Sequence, residues 1–267
     1  MSVWMLLGWG WLAMAVVMAA LWYGQWRSRN AGIVDVAWAA GVALLALAYT
    51  VAGEAGDPAR RILIAFMAGV WGLRLAGHLA RRVRAEAEDG RYRVLREAWG
   101  SRTQPYMFLF FQIQALWAVM FSVPILVAAS NPAPGPAWYD WLGVAIWALA
   151  LGGESLADRQ LARFRRDPAN RGHVCRKGLW RYSRHPNYFF EWLHWWAYVA
   201  MGLAGPLGWV TLAGPAVMLV FLLKVTGVPP TEARALASKG EAYRAYQRTT
   251  NAFFPGPPKP APRGDER

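Results

Sequence analysis

Long apolar runs, separated by short polar or basic loops, set the pattern of this chain. A helix needs roughly 17 to 25 apolar residues to cross about 30 Å of hydrocarbon, and seven runs have that length. Each run is expected to be helical, because unpaired backbone groups find no water inside a bilayer. The predicted spans are residues 3–23, 33–52, 62–80, 107–129, 138–156, 188–204 and 207–227. We therefore predict an all-α protein, an integral membrane bundle of seven transmembrane helices.

The distribution of Arg and Lys predicts the orientation of this bundle. Loops that stay in the cytoplasm are rich in these residues, and translocated loops are poor in them. The loops at 130–137 and 205–206 carry no charge, whereas Arg60 and Arg61 are an exception on the predicted outer side. The N-terminus is expected outside and the C-terminus in the cytoplasm. The retained loops carry Arg81, Arg82, Arg84, Arg91, Arg93, Arg96, Arg102, Arg159, Arg163, Arg165, Arg166, Arg171, Arg176, Lys177, Arg181 and Arg184.

The region after the last span differs from the rest of the chain. Thr231 is placed to cap a short helix that runs through Glu232 to Tyr246. The segment 256–267 is rich in proline, which cannot hold a helix, and is expected to be disordered. Residues 1–255 are therefore predicted to form one membrane domain, followed by a cytoplasmic tail.

Composition agrees with the membrane class and narrows the partners. Of 267 residues, 56% are hydrophobic and 17% are charged, and the seventeen Trp suit a lipid–water interface. The net charge of +13 lies mostly in short loops between apolar runs. Lipid headgroups, topology or an anionic cofactor explain it better than nucleic acid, and no obligate protein partner is inferred. A single cysteine, Cys175, excludes an intramolecular disulfide and a Cys-rich zinc site.

Polar side chains inside the apolar spans are candidates for function. An ionisable group in hydrocarbon costs at least about 2.5 kcal/mol and usually faces the bundle interior. Pairing or snorkelling for stability alone is the alternative. Glu191 and His194 have the Glu-x-x-His spacing of di-iron bundles, but such sites need a second motif, so no metal is predicted. The polar span residues are Asp35, Arg74, His78, Gln112, Gln114, Glu154, Asp158, Glu191 and His194.

The loop from Asp158 to Arg184 mixes arginines with amide and imidazole groups. A membrane-surface charge run needs only Lys and Arg, whereas planar hydrogen-bonding groups can hold phosphates and an amide bidentately. This loop therefore favours a polyanionic organic cofactor over lipid headgroups. No Gly-x-Gly-x-x-Gly follows a strand, so a nucleotide here is not held by a Rossmann domain.

The sequence around this loop resembles a known family. Residues 178–188 read Gly-Leu-Trp-Arg-Tyr-Ser-Arg-His-Pro-Asn-Tyr, and the stretches 154–161, 241–246 and 253–255 extend the likeness. Towards the N-terminus it continues through 29–30, 34–38, 72–74 and 88–92. From about Arg29 to Pro255 the chain resembles the bacterial branch of the steroid 5α-reductase family, also called DUF1295. Isoprenylcysteine carboxyl methyltransferases carry a similar Arg-His-Pro-x-Tyr core, but the surroundings of Asp158 and Asn187 favour the reductases.

The resemblance implies an enzyme of the bacterial inner membrane that binds NADPH from the cytoplasmic side. Its substrate would be a 3-oxo steroid or similar lipid enone, reduced at the Δ4 C=C bond. An S-adenosylmethionine-dependent methyltransferase and a lipid-binding scaffold are the alternatives. The implied cofactor residues are Arg74, Asp158, Arg165, Arg181, Arg184, His185, Asn187, Tyr188, Glu191, Arg234 and Tyr246.

Asp35 and Glu191 are the implied catalytic residues. Asp35 stands near the position where animal members carry a Gln-Glu pair at the substrate carbonyl, and here the pair reads Val34-Asp35. Hydride addition to an enone develops negative charge on the carbonyl oxygen, which needs a hydrogen-bond donor. A protonated Asp35 is expected to be that donor, because burial in an apolar span favours the neutral acid.

Overall fold

The computed structural model describes residues 1–53, 55–85 and 88–260. About 80% of the chain is helical, and no strand occurs in these ranges, which confirms the all-α prediction. Short 3₁₀ turns join several helices, and a π-helical turn spans Phe221–Val225. The α-helices are α1 (Val3–Ser28), α2 (Ile33–Ala52), α3 (Pro58–Ala85), α4 (Gly90–Trp99), α5 (Thr103–Ala129), α6 (Trp138–Arg166), α7 (Pro186–Gly202), α8 (Ala213–Val220) and α9 (Val228–Thr249).

Five stretches of the described chain are long and apolar enough to cross a membrane, which indicates an integral membrane protein. The two other predicted spans coincide with α6 and α7 but do not join this set. Helix α7 has 17 residues, and α6 carries Asp140 in its first turn and three arginines in its last. The membrane class is thus confirmed, while a count of seven is not. The five stretches are Val3–Ser28, Ile33–Ala52, Pro58–Arg84, Gly90–Ala129 and Gly208–Thr249.

The chain divides into two compact units. The first comprises Met1–Trp141 and Tyr198–Leu212, and the second comprises Leu142–Ala197 and the chain from Ala213 onward. In the first unit α2 packs against α3 and α5, and α1 packs against α5. Trp38 of α2 makes edge-to-face contacts with Trp71 of α3 and Phe121 of α5. Such aromatic packing stabilises the interface beyond its buried area.

A fully buried ion pair closes one end of the first unit. Arg60 donates from Nε to Asp140 Oδ1 over 2.6 Å, and neither side chain is exposed. Arg60 Nη1 donates to the carbonyl oxygen of Asn131 over 2.7 Å. Arg61 donates to the carbonyl oxygen of Thr50 at the end of α2 over 2.9 Å. Both arginines that break the charge pattern of the loops therefore have local partners.

The second unit is closed by its C-terminal segment. Phe253 and Phe254 pack edge-on against Phe189 and Trp192 of α7, with ring centroids 5.5 to 6.1 Å apart. Helix α9 begins at Val228, before the predicted Glu232, because two prolines fit its first turn. Its regular geometry is interrupted at Gly240 (φ 50°, ψ −124°).

Part of the proline-rich tail is hydrogen-bonded. The Gly256 N–H donates to the Tyr182 carbonyl over 3.0 Å, and the Lys259 N–H donates to the Thr249 carbonyl over 2.8 Å. Residues 256–260 form no helix, as the prolines predict. The remainder of the predicted tail, residues 261–267, lies outside the described residues.

Candidate functional site

Asp158 of α6 and Asn187 of α7 are brought together in the second unit. The Asn187 side-chain amide donates from Nδ2 to Asp158 Oδ1 over 3.3 Å. Helix α7 begins at Pro186, whose fixed φ suits the first helical position. Ser183 Oγ accepts from the His185 N–H over 3.1 Å just before this start. The amide of Asn187 is therefore fixed at the first turn of α7.

Two buried acidic side chains lie next to this contact, one on each helix. Glu154 lies one turn before Asp158, and Glu191 lies one turn after Asn187, with exposures of 6% and 8%. Residues four apart share one face of a helix, so these groups line the surface where α6 meets α7. A side chain at Gly153 would collide with the ring of Phe190. Glycine at this position therefore permits the close approach of the two helices.

No group of three or more His, Cys, Asp or Glu side chains in the described residues is arranged to hold a metal ion.

The turn at 178–181 is fastened to α6. Gly178 has φ +60°, and a Cβ there would press on the Gln160 side chain. The Leu179 N–H donates to Gln160 Oε1 over 2.9 Å. Trp180 Nε1 donates to the Ala157 carbonyl over 3.0 Å. This turn positions the start of α7 relative to α6.

Glu232 of α9 is the centre of a polar cluster that includes Arg184 and His185, the two residues just before α7. Its Oε1 accepts from Arg184 Nε over 2.7 Å and lies 3.3 Å from His185 Nε2. Its Oε2 accepts from Gln247 Nε2 over 2.8 Å. Arg184 Nη1 also donates to the Thr250 carbonyl over 2.5 Å. The polar atoms of Arg184 and His185 are thus engaged inside the protein.

The two predicted tyrosines also have internal partners. The hydroxyl groups of Tyr188 and Thr231 lie 3.0 Å apart, and the Tyr188 ring stacks on His185 with a centroid separation of 5.3 Å. The Tyr246 hydroxyl donates to the carbonyl oxygens of Trp180 and Ser183. Sequence reasoning assigned Thr231 to a helix cap, whereas its contact here is to Tyr188.

Three of the predicted cofactor arginines of the second unit are exposed. Arg165 lies in the last turn of α6, Arg181 ends the 3₁₀ turn before α7, and Arg234 lies in α9. Within the described chain neither Arg165 nor Arg181 forms an ion pair. Arg165 follows Asp158 by seven residues, which is two helical turns, so both lie on one side of α6.

Asp35 belongs to a cluster in the first unit. Its Oδ2 accepts from Arg91 Nη2 over 2.8 Å, and its Oδ1 accepts from the Tyr92 hydroxyl over 2.6 Å. Asp35 is the acceptor in both hydrogen bonds. Its role as a protonated donor to a substrate carbonyl stays a prediction. Arg74 lies in the same unit, half-buried in α3.

Helix α4 carries the partners of Asp35 and was not predicted from the sequence. Asp89 caps it by accepting from the Arg91 N–H over 3.0 Å. Glu88 accepts from Arg96 Nε over 2.9 Å and from the Ala31 N–H over 2.8 Å. These contacts fix α4 against the start of α2. The Asp89-Gly90 pair was the sequence signal for this helix, since Asp is favoured at N-caps.

A family model described as a protein of unknown function, DUF1295, matches residues 21–250. The chain belongs to the DUF1295 family. An uncharacterized protein of Schizosaccharomyces pombe is 26% identical over 264 residues, covering 88% of this chain and 75% of the yeast protein. No solved structure matches the chain.

The DUF1295 match includes every predicted site residue, from Asp35 to Tyr246. It ends at residue 250, so the segment that packs Phe253 and Phe254 onto α7 follows the matched region. In this DUF1295 member the cluster around Glu232 and the contact between Asp158 and Asn187 are both built within one compact unit.

Proposed function

We propose that this protein is an NADPH-dependent reductase of the Δ4 C=C bond of a 3-oxo steroid or similar lipid enone. The observation that carries the proposal is the contact of Asn187 with Asp158, followed one turn later by the buried Glu191. An amide between two carboxylates offers donors and acceptors for the hydroxyl and amide groups of a nucleotide cofactor. The steroid 5α-reductase resemblance of the same residues supports this choice.

The residues of this region suit a dinucleotide phosphate by their chemistry. Asp158, Asn187 and Glu191 would hold the ribose and carboxamide groups, because they supply paired acceptors and an amide. Arg165 and Arg181 would hold the phosphates, because exposed guanidinium groups without acidic partners recognise phosphate bidentately. Arg234, exposed in α9 of the same unit, is a further phosphate candidate. Arg74 lies in the first unit, and its role at a cofactor rests on the family resemblance alone.

The other predicted cofactor residues have a different role in this proposal. Four of them form hydrogen bonds within the protein: Arg184, His185, Tyr188 and Tyr246. In this proposal they position the turn that carries Asn187. Glu232 shares this role, since both of its oxygen atoms accept hydrogen bonds from neighbouring side chains.

Reduction of an enone needs a hydride at the β-carbon, a proton at the α-carbon and a donor at the carbonyl oxygen. When bound, NADPH supplies the hydride equivalent. Water would supply the proton. The Tyr92 hydroxyl of the first unit, which donates to Asp35, is the type of hydrogen-bond donor that a developing oxyanion needs. Asp35 also accepts a hydrogen bond from Arg91, so the side chains of Arg91 and Asp35 would position the Tyr92 hydroxyl.

The same proposal includes seven spans in the bacterial inner membrane, with the N-terminus outside and the C-terminus and cofactor residues in the cytoplasm. The Arg-rich loops support this orientation. The exception at Arg60 is weakened because Asp140 neutralises that charge. A cysteine placed at Ser238 should react with a membrane-impermeant maleimide in inverted vesicles and not in intact spheroplasts. Labelling in spheroplasts would contradict the orientation.

Cofactor binding by the purified protein tests the proposed function. NADPH should raise the thermal unfolding temperature in detergent, whereas S-adenosylmethionine should not. Asn187→Ala should weaken NADPH binding by about tenfold or more, because hydrogen bonds to charged groups contribute roughly 1.5–3 kcal/mol. Glu191→Gln should lower affinity as well. Stabilisation by S-adenosylmethionine alone would instead favour the methyltransferase that shares the Arg-His-Pro-x-Tyr core.

A matched control separates loss of binding from loss of fold. Gln114→Ala removes an amide from a transmembrane helix outside the proposed site, so it should bind NADPH like the wild type. Undiminished binding by Asn187→Ala, or no binding of either cofactor, would contradict the reductase proposal. NADPH consumption with a panel of Δ4-3-oxo lipids then identifies the substrate.

A further inference from the structure

An open groove of about 340 Å³ lies at the end of α6 in the second unit. Pockets for small ligands have volumes of roughly 300 to 1,000 Å³, so this groove can hold a small organic ion. The last turns of α6, the turn at 168–170 and the segment 175–178 form its walls. The lining residues are Gln160, Arg163, Phe164, Asp167, Asn170, Cys175, Lys177 and Gly178.

Two cations of the groove have no acidic partner. Arg163 and Lys177 are exposed, and neither forms an ion pair within the part of the chain that the structure describes. The acid of the lining, Asp167, accepts from the Ala169 N–H over 3.0 Å, which satisfies one of its oxygens. Two cations and one carboxylate give the lining a net charge of +1, and this positive charge attracts an anion. The adjacent Phe164 ring offers an apolar surface for an organic group.

None of the proposed cofactor residues lines this groove. At about 100° per residue, Gln160 and Arg163 lie on the side of α6 turned away from Asp158. Gln160 also covers Gly178 and accepts from the Leu179 N–H, so its side chain points to the 175–178 segment. The contact with Asn187 occupies the opposite side of α6.

The distance from the membrane favours a soluble ligand. The predicted span of α6 ends at residue 156, and Gln160 and Arg163 follow it by four and seven residues. At about 1.5 Å per residue, they lie roughly 6 to 10 Å beyond the hydrocarbon. The headgroup layer is only about 5 to 7 Å thick on each side. The groove therefore extends from the edge of this layer into the aqueous phase.

We propose that the groove binds a phosphate group carried by a small soluble molecule. Arg163 and Lys177 bind the phosphate oxygens, because guanidinium and ammonium groups donate charge-assisted hydrogen bonds to them. Asn170 and Gln160 add amide groups at the wall. The site is independent of the proposed reductase activity and does not require NADPH.

Cys175 provides a reporter for this site. It is the only cysteine of the chain and lines the groove with 5% of its surface exposed. Burial raises the pKa of its thiol, while the charges of Lys239, Arg165 and Lys177 oppose this shift. A bound anion both covers the thiol and cancels the positive charge that favours the thiolate. Phosphate should therefore slow the alkylation of Cys175.

The experiment measures alkylation of the full-length protein by N-ethylmaleimide in phosphatidylcholine nanodiscs, without NADPH. Inorganic phosphate at millimolar concentration should slow the reaction at least threefold, relative to sodium chloride of equal ionic strength. The double variant Arg163→Gln/Lys177→Gln should lose this protection. Arg166→Gln, which removes a charge from the same helix outside the groove, should keep it. Thermal unfolding of each variant checks that the fold is intact.

Other outcomes would overturn the proposal. Equal slowing by chloride, or protection that persists in the double variant, would mean that the anion only screens charge. Absence of protection would mean that phosphate does not bind. Protection that requires nanodiscs containing phosphatidic acid would assign the groove to a lipid headgroup. None of these results depends on whether the protein reduces an enone.

Discussion

Arg60 and Asp140 form a bidentate ion pair, with hydrogen bonds of 2.6 Å and 2.9 Å and with both side chains fully buried. The same guanidinium also donates to the carbonyl oxygens of Asn131 and Ala133. One side chain therefore joins the start of α3, the loop at 130–137 and the start of α6. This charge serves the fold of the first unit, whatever its effect on topology.

Arg60→Met should lower the free energy of unfolding by about 3–5 kcal/mol, because it leaves the Asp140 carboxylate buried without a partner. Unfolding of the detergent-solubilised protein by heat or denaturant measures this loss. Arg61→Met is the control and should cost about 1 kcal/mol, since only hydrogen bonds to helix-end carbonyls are lost. The double variant Arg60→Met/Asp140→Leu should recover stability. Equal effects of the two single changes would contradict this role of Arg60.

Glu232→Gln should destabilise the second unit by about 1.5–3 kcal/mol and weaken NADPH binding. The change removes the charge that Arg184 contacts in a half-buried setting, where charged hydrogen bonds contribute most. Glu241→Gln in the same helix is the matched control. Its ion pairs with Arg244 and Arg248 are largely exposed, and such pairs contribute about 0–1 kcal/mol. Unfolding and cofactor titration of both variants separate the roles, and similar losses would argue against a central role of Glu232.

Tyr92→Phe should reduce turnover of the enone about 100-fold or more, with NADPH affinity unchanged. Removing one donor to a developing oxyanion typically costs a factor of about 10²–10³ in turnover. Steady-state NADPH consumption measures the first quantity and equilibrium binding the second. Tyr106→Phe in α5 is the control, because this tyrosine is 39% exposed. Full turnover by Tyr92→Phe would exclude this hydroxyl as the donor to the oxyanion.

Gly178→Ala should lower the thermal stability more than Gly172→Ala. Both glycines have positive φ, of +60° and +82°, and an L residue in the left-handed region costs about 1–2 kcal/mol. Only at Gly178 does the added Cβ also meet the Gln160 side chain. Differential scanning fluorimetry of the two variants measures the difference. Equal stability would mean that Gln160 moves aside without cost.

The alkylation of Cys175 should depend on pH with a midpoint above the ordinary thiol value. Burial disfavours the thiolate and raises the pKa of Cys175, whereas Lys177 lowers it. Lys177→Gln should therefore shift the midpoint further upward. Maleimide reaction rates between pH 7 and pH 10 measure both values, with Arg166→Gln as the control. A downward shift in Lys177→Gln would contradict this electrostatic account.

Sequence patterns predicted most of the helices, but they did not predict which helices pack together. Apolar runs long enough to cross a membrane are easily recognised in the sequence. The predicted spans therefore coincide with six of the nine described α-helices. Glu154 and Asp158 stood out as acidic residues at the end of the fifth predicted span. The pairing of Asp158 with Asn187 was available only through the family resemblance, because helical periodicity says nothing about which helices meet.

Other features depend on contacts far apart in the sequence and could not be predicted in this way. Helix α4 is short and polar, so no apolar pattern predicts it. The hydroxyl group of Tyr92 in this helix donates to Asp35, which lies 57 positions earlier in the chain. Arg184 contacts Glu232, 48 positions later in the chain, and no local pattern predicts this pair. A basic motif in the sequence identifies the arginines, but the packing of the helices determines which groups these arginines contact.

The contacts that close the turn at 178–185 also impose an order on biosynthesis. Ser183 donates to the Phe253 carbonyl, and the Arg184 N–H donates to the Asn251 carbonyl. These acceptors are translated about seventy residues after the turn itself. A nascent chain halted at residue 240 would therefore contain every proposed span and still lack a completed turn. The turn before Asn187 can therefore be completed only after residues 251–253 have left the ribosome.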